Sequence, residues 1–566
     1  MAVVDNNYAA YIETKNGEYP LRDLGAVRSN QGAENTGKML GINSEGNVEP
    51  VDVPLDQQTI LEKSIENYYA MRRTGKVYQT KIWKFTANPT PTGVKQLDNE
   101  GLVFEPSTDS EEGQDDYLNG QHPLFEWVNC NYIRDDDGTA RPIAIEGTDE
   151  YKTTGAVDVG AMQMSFWWKW DSSNAEYDLI TISDTPHEEL GLVPWCECVK
   201  VDGTVLPWCI GSKYVSGIAS DGLLRSQPGL KPERLQSYKN MITNYQEKGL
   251  GYWGAGACRN TFQIIFTLIK GATKSTQALF AGVTNYFAQY EASIQSDELH
   301  TYFPVTNAQA ANIPEGCFVS VGYGGNNNVT ANNDRGKATI HAYADDVKVL
   351  RKEAMEDGTN TAVYLDIPEE SAFNTQPHVY TETLSVPIMI STMHANSGET
   401  DSVRGRHDGS PASNTDGKHP YRVQGREYMV GGHIVAADAV AWLNSDGSRD
   451  IYVAEKGTAH SSVQNTILDT YKNIGTIPNS STGTASDWYI GDDGFDESTG
   501  SWYPFHEGSG STQGVCDRYY AEGASSDTLR EYLQGGVLGN VSNAGGSYLY
   551  LGYWLEFEYW NCLACD

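Results

Sequence analysis

The chain has 566 residues, with 75 acidic against 40 basic side chains and a formal net charge of -35. That length exceeds what one hydrophobic core organises, so we expect several folded units. A strongly acidic surface repels phosphate backbones and anionic lipids, which argues against nucleic acid as a partner.

The nine cysteines are odd in number and scattered, unlike the dense, even set of a small secreted module. The first residues lack a basic region followed by an apolar run, and the longest apolar stretch, 262–269, is too short to cross a bilayer. We therefore expect folding in a reducing cytoplasm and no membrane insertion.

The N-terminal quarter reads as an anchor, a helix and a β module. Residues 1–55 suggest short strands and turns with little core, typical of an attachment segment. Asp56 is a capping residue for a helix within 56–75, which serves either as an oligomeric neck or as an amphipathic connector. Its apolar face consists of Leu61, Ile65, Tyr68 and Tyr69. Residues 76–150 have the strand and turn pattern of a compact β module.

The central part, 151–385, combines strands with two helices. The alternation in MQMSFWWKW, 162–170, predicts one half-buried strand. Pro232 is suited to the first turn of a helix with apolar residues at Leu235, Tyr238, Met241, Ile242 and Tyr245. A second helix brings together Phe262, Ile265, Phe266 and Ile269. This region is either a separate α+β domain or the start of the C-terminal one.

The C-terminal part, 386–566, has strands joined by long polar loops at 396–419 and 478–514. The motif R-E-Y-x-x-G-G occurs in it twice, and we call residues 426–432 the first REY segment and residues 530–536 the second REY segment. Two related strand-to-turn elements would explain this, as would chance repetition of a short motif. With 57 Gly, 34 Tyr and 13 Trp, the chain is expected to have an α+β, mainly β fold.

Motifs that would signal chemistry are weak. The G-x-G-x-x-G at 249–254 follows a helix rather than a strand, so it does not predict a dinucleotide site. The cysteines of C-x-C at 196–198 and C-x-x-C at 562–565 are expected to be buried thiols rather than zinc ligands. Residues 135–138 predict a hairpin turn. His407, Asp408 and His419 are expected in an exposed polar loop. We predict no enzyme activity, no metal and no cofactor.

The last 21 residues hold seven aromatic side chains among Ser, Asn, Gly and Glu. Rigid rings mixed with small polar residues are typical of a contact surface, and a terminal hairpin filling its own core is the alternative.

The run 516–566 resembles the ends of variable proteins diversified by phage retroelements, whose C-type lectin-like domain finishes in an Arg and Gly-Gly segment followed by a variable stretch. The wider chain, including MRRTGKVY, GYWGAGACRNTFQ and HPYRVQGREYMVGG, resembles structural proteins of phages that infect gut bacteria.

The resemblance implies a constant frame and a variable segment at about 537–566. Arg530, Gly535 and Gly536 belong to the frame, whose buried side is Leu549, Leu551, Leu555, Trp560 and Leu563. The ligand-facing residues it implies are Asn540, Asn543, Ser547, Tyr548, Tyr550, Tyr553, Trp554, Glu556, Glu558 and Tyr559. Randomised Asn codons give neither Trp nor Glu, so Trp554, Glu556 and Glu558 arise from fixed or other codons.

Strand alternation divides the same segment independently. It places Tyr548 and Tyr550 on one face of the strand and Leu549 and Leu551 on the opposite face. It also places Leu555, Phe557 and Tyr559 on a face opposite Glu556 and Glu558, which conflicts with Tyr559 as a ligand-facing residue.

These features favour a phage receptor-binding protein located in the virion after synthesis in the host cytoplasm. The expected partners are a host surface glycan or protein, other virion proteins at the N-terminus, and two further copies in a homotrimer. The alternatives are a head fibre or decoration protein, and a capsule-degrading tailspike enzyme.

Overall fold

A computed structural model describes residues 57–84, 93–324, 334–479, 486–508, 517–521 and 527–566. It also gives the backbone of short strands in the N-terminal region: β1 (Ala2–Val4), β2 (Ala10–Thr14), β3 (Gly17–Pro20), β4 (Met39–Ile42) and β5 (Val48–Val51). The rest of the predicted attachment segment and the predicted cap Asp56 lie outside the described residues.

The helices among the described residues are α1 (Gln57–Arg72), α2 (Tyr238–Gln246), α3 (Cys258–Gly271), α4 (Asn307–Ala310) and α5 (Gln464–Thr470). None of them combines the length and the apolar composition that crossing a bilayer requires. Ile65 and Tyr69 of α1 are buried against the chain's own strands, so this helix is an amphipathic element of the fold.

The start of α2 differs from the prediction. The helix begins after Ser237, whose Oγ accepts a hydrogen bond from the Asn240 backbone N–H, and not at Pro232. Leu235 lies before the helix with a φ of 57° and is exposed. A serine cap therefore determines the start of this helix, while α3 contains its predicted apolar residues, all buried.

The first half of the described chain contributes two sheets and a ribbon. Its strands are β6 (Val77–Trp83), β7 (Gly93–Leu97), β8 (Trp127–Arg134), β9 (Ala140–Ile145), β10 (Asp158–Met164), β11 (Trp167–Asp171), β12 (Tyr177–Ser183), β13 (Val193–Pro194), β14 (Trp208–Ser212), β15 (Gly217–Ile218) and β16 (Leu224–Arg225). The sheet orders are β14-β10-β8-β9 and β13-β11-β12-β6-β7, and β15 pairs with β16.

The strand predicted at 162–170 is two strands in two sheets. The chain leaves β10 at Met164 and enters β11 at Trp167, so the alternation runs across a change of sheet. Arg73 stabilises the break, because its guanidinium donates to both the carbonyl and the hydroxyl oxygen of Ser165. Both sheets contain strands from before and after residue 150, where a domain boundary was predicted.

The next strands form a six-stranded sheet, in the order β17-β24-β19-β20-β21-β18, and two ribbons, β22-β23 and β25-β26. They are β17 (Gln289–Glu291), β18 (Tyr302–Thr306), β19 (Phe318–Tyr323), β20 (Ala344–Ala354), β21 (Asn360–Leu365), β22 (His378–Thr381), β23 (Leu384–Val386), β24 (Ile388–Thr392), β25 (Tyr421–Val423) and β26 (Arg426–Tyr428).

The last strands form the largest sheet, in the order β29-β28-β27-β33-β34-β32-β30-β31, with β35 pairing in parallel to β27. They are β27 (His433–Leu443), β28 (Arg449–Val453), β29 (Lys472–Ile477), β30 (Ser486–Asp496), β31 (Ser501–Glu507), β32 (Arg518–Ala521), β33 (Thr528–Gln534), β34 (Leu549–Tyr550) and β35 (Cys562–Leu563). The expected α+β, mainly β class is confirmed. The buried helix α3 packs between the sheets and makes this sheet a firm support for the chain's last residues.

Candidate binding surface

The last segment of the chain is fixed to the large sheet at both ends. β34 pairs with β33 on one side and β32 on the other, and β35 pairs with β27. Between them the chain crosses the first turn of α2, where the Lys239 N–H donates to the Leu555 carbonyl at 3.1 Å. The Glu531 N–H donates to the Tyr553 carbonyl at 2.9 Å. Backbone hydrogen bonds therefore hold the predicted variable segment in place.

The side chains that the resemblance assigns to the buried frame are buried. They are Leu549, Leu551, Leu555, Trp560 and Leu563. Gly535 has a φ of 78°, a conformation that glycine adopts without the strain of a side chain, and Arg530 is buried beneath the segment. The predicted burial of the five frame side chains is therefore confirmed.

A series of aromatic rings leads from the sheet toward solvent. The ring centroids of Tyr520 and Tyr550 are 4.9 Å apart, those of Tyr550 and Tyr553 are 4.8 Å apart, and those of Tyr553 and Phe557 are 4.6 Å apart. Contacts of this kind between rings stabilise their mutual orientation. Burial raises the pKa of Tyr553, so its phenol stays neutral.

The outer end of this series is exposed. Trp554 is 47% exposed and Phe557 41%, and Glu556 and Glu558 are exposed beside them. We call these four residues the aromatic cap. The guanidinium carbon of Arg530 lies 3.6 Å from the Trp554 ring centroid, and the side-chain amide of Asn240 donates to the Glu558 carboxylate. These contacts restrain two of its four side chains from below.

Other residues that the resemblance makes ligand-facing point inward. Ser547 is buried, and Tyr548 is only 5% exposed because its ring stacks on His433, with 5.6 Å between centroids. The expectation that Tyr548 faces water is therefore wrong. β34 lies between β33 and β32 inside the sheet, where Leu549 is buried and Tyr550 is half-buried.

The remaining candidates are half-buried and lie in two places. Tyr550, Tyr553 and Tyr559 support the aromatic cap. Asn540 and Asn543 are held elsewhere in the loop before β34: the Asn540 Oδ1 accepts from the Val537 N–H at 2.6 Å, and the Asn543 Oδ1 accepts from the Tyr489 hydroxyl at 2.9 Å.

Sequence reasoning missed Phe557. The alternation of residues 555–559 placed it on the inner face, but this stretch is a turn in which the Phe557 N–H donates to the Trp554 carbonyl at 2.8 Å. Without a strand, the period of two does not apply. The turn brings Phe557 to the surface next to Trp554. The sequence does signal that strand geometry is interrupted in this segment, because it contains Gly545, Gly546 and Gly552.

The weaker motifs have structural roles. Asp408 is buried, 2.8 Å from the Lys270 Nζ, so its expected exposure is wrong, while His407 and His419 are half-buried beside carboxylates. The turn at 135–138 joins β8 to β9 as predicted. In the G-x-G-x-x-G run, a Cβ on Gly251 would lie 1.7 Å from the Asp135 carbonyl oxygen, so this glycine permits close packing.

His341, Asp345 and Asp346 form a cluster with the composition of a metal site. Its charge is already balanced, because Arg234 contacts both carboxylates, at 3.2 and 3.3 Å, and Lys231 contacts Asp345. Two cations in the same place oppose the binding of a third. We therefore interpret the cluster as an ion-pair network.

No protein-family model and no curated protein matches the chain.

Proposed function

We propose that the chain is a phage virion protein that attaches the particle to a bacterial surface through the aromatic cap. The C-type lectin-like arrangement, the trimer and the N-terminal virion anchor are parts of the same proposal. Sequence resemblance supports its phage setting, and the residue-level argument concerns the cap.

The observation that carries the proposal is an exposed pair of large rings on a rigid support. A side chain that is free in solution loses rotamer entropy when it binds. Trp554 and Phe557 are partly ordered before binding, because the Arg530 guanidinium lies under the Trp554 ring and the Tyr553 ring stacks on Phe557. Rings ordered before binding are the kind of residue that dominates binding energy at interfaces.

The carboxylates of the aromatic cap add polar recognition. Glu556 and Glu558 stand beside the rings, so a ligand with an apolar face and hydrogen-bond donors around it is complementary to this surface. Sugar rings and aromatic-contacting protein segments both have this chemistry. Several copies on one particle would strengthen a weak contact at each cap.

The test compares two double variants of the full-length protein. Trp554→Ala with Phe557→Ala removes the exposed rings of the cap, and Tyr380→Ala with Phe505→Ala removes two rings of similar exposure, 43% and 36%, elsewhere on the molecule. Binding of fluorescently labelled protein to a panel of cultured gut bacteria is then measured.

We expect the cap variant to lose most of its cell binding and the control to keep it, with both variants folded. Equal binding by the cap variant and the unsubstituted protein would refute the role of the cap. Equal loss in the two double variants would mean that binding depends on general surface hydrophobicity.

A further inference from the structure

A cavity of about 200 Å³ lies at the first turn of α3, away from the aromatic cap. The residues that line it include Cys196, Cys258 and Lys456. Among the cysteines that the structure describes, Cys196 and Cys258 are half-buried, whereas all the others are fully buried. The cavity therefore brings together the two described thiols that solvent reaches most easily.

The two cysteines meet at one point of the structure. A Cβ placed on Gly500 would lie 2.7 Å from the Cys196 Sγ and 3.2 Å from the Cys258 Cβ. Cys196 begins the short turn before β14, and Cys258 is the first residue of α3. Consistent with this proximity, the Cys258 thiol and burial raise the pKa of Cys196.

Positive electrostatic features lie beside both cysteines. Cys258 is in the first turn of a 14-residue helix, where the helix dipole is positive. The Lys456 ammonium also interacts with the nearby Cys196 sulfur. A thiolate is the reactive form in thiol chemistry, and the cavity gives a small reagent access to it.

We propose that Cys196 and Cys258 are a thiol–disulfide exchange site, which forms a reversible disulfide when the protein meets a small-molecule disulfide. The Cys258 thiolate attacks one sulfur of the reagent and releases one reagent thiol, giving a mixed disulfide. The Cys196 sulfur then attacks the Cys258 sulfur and releases the second reagent thiol. The two cysteine protons end on the released thiols, and the reagent is reduced as the cysteine pair is oxidised.

The bond would join the turn before β14 to the central helix across the opening of the cavity. A link between positions so distant in sequence restricts the unfolded chain and so raises the free energy of unfolding. The reaction needs only the reagent and the two thiols, so this inference is independent of the proposed function.

The experiment uses the full-length protein with Cys516, which lies outside the described residues, replaced by Ser in every sample. The protein is incubated with oxidised glutathione, digested without reductant and analysed by mass spectrometry. We expect a peptide pair joined through 196 and 258, which dithiothreitol separates, and a higher unfolding temperature for the oxidised sample. Cys196→Ser and Cys258→Ser should each abolish both effects.

Cys198 and Cys209 provide the matched control. They are also adjacent, since burial and the Cys198 thiol raise the pKa of Cys209, but both are fully buried. They should stay reduced under the same conditions. The proposal is refuted if the 196 and 258 sulfurs carry separate glutathione adducts without a link, if neither reacts, or if the buried pair oxidises equally fast.

Discussion

The two REY segments make the same kinds of contact at different depths in the molecule. In the first, the Arg426 guanidinium carbon lies 3.7 Å from the centroid of Phe262, a fully buried ring. In the second, the Arg530 guanidinium carbon lies 3.6 Å from the centroid of Trp554, an exposed ring. One local motif thus holds an aromatic ring in the core in one place and at the surface in the other.

The glutamates of the two segments also correspond. Both are buried and accept hydrogen bonds from backbone N–H groups of distant parts of the chain. Glu427 accepts from Gly398 and Thr400, and Glu531 accepts from Tyr238 at the start of α2. The Gly431 and Gly535 positions that follow both have positive φ values. The correspondence favours two related strand-to-turn elements over chance repetition.

The first REY segment also contains a buried ion pair. Arg426 pairs with Glu197 through two hydrogen bonds of 3.1 and 2.7 Å. Although burial raises it, the Arg426 guanidinium holds the pKa of Glu197 below its ordinary value. The first REY segment is therefore part of the core's charge network. The second lies beneath the exposed Trp554 ring.

The largest effect should follow from Arg426→Ala. The substitution leaves Glu197 without its countercharge, so we expect the free energy of unfolding to fall by about 3–5 kcal/mol. Urea denaturation measures it. Arg406→Ala is the control, because its ion pair with Glu146 is exposed and should contribute little. Similar losses in both variants would contradict the assigned role of the buried pair.

The next effect distinguishes the two glutamates. Glu427→Gln should lower the free energy of unfolding by about 1 kcal/mol, because Glu427 accepts through both carboxylate oxygens and the amide keeps only one of them as an acceptor. Glu531→Gln keeps an oxygen for its single N–H donor, Tyr238, and should cost less. Equal losses would mean that the two carboxylates have equivalent surroundings.

The raised pKa values of the two glutamates determine the direction in which stability changes with pH. Burial, followed by the nearby Asp401, raises the pKa of Glu427 to about 7, and burial raises the pKa of Glu531 well above its ordinary value. The folded state then holds protons that the unfolded chain has released, so stability falls as pH rises above the unfolded pKa of about 4.3. Glu531→Gln should make that fall shallower, as measured by thermal unfolding across the neutral range. An unchanged slope would contradict a raised Glu531 pKa.

Local patterns predicted the parts of the fold that depend on local causes. The apolar spacing in α3 and the leucines at 549 and 551 identify buried side chains, because residues three or four apart on a helix and residues two apart in an extended chain share a face. The start of α2 was missed because two signals competed, and the cap at Ser237 prevailed over Pro232. The change of sheet near Ser165 was missed because Arg73, which stabilises it, is distant in sequence.

The exposure of side chains in the last segment was predicted correctly for some residues and wrongly for others. Tyr548 is removed from the surface by His433, a residue more than a hundred positions away, which no local pattern reveals. Phe557 is brought to the surface by a turn within an alternating stretch. The other exposed members, Trp554, Glu556 and Glu558, are residues that the resemblance made ligand-facing.

A smaller effect than that of Arg426→Ala is expected for Arg530→Ala. The variant loses the contact with the half-exposed Trp554 ring, the hydrogen bond from the guanidinium to the Leu529 carbonyl and the packing of the arginine stem, which together should cost about 1–2 kcal/mol. Urea denaturation beside Arg426→Ala makes the comparison direct. A loss as large as that of Arg426→Ala would mean that the second REY segment is as important to the core as the first.

The smallest effect is the coupling between Arg530 and Trp554. A double-mutant cycle with Arg530→Ala, Trp554→Ala and the combined variant should give about 0.5 kcal/mol, since a cation over a solvent-exposed ring is weakened by water. The same cycle on Arg426 and Phe262 should give a larger value, because neither partner is solvated. If the surface pair couples as strongly as the buried one, Trp554 is held too firmly to be a replaceable contact residue. If the coupling is zero, Arg530 does not order the ring, and the preordering on which cap binding relies would have to come from the turn at 554–557 alone.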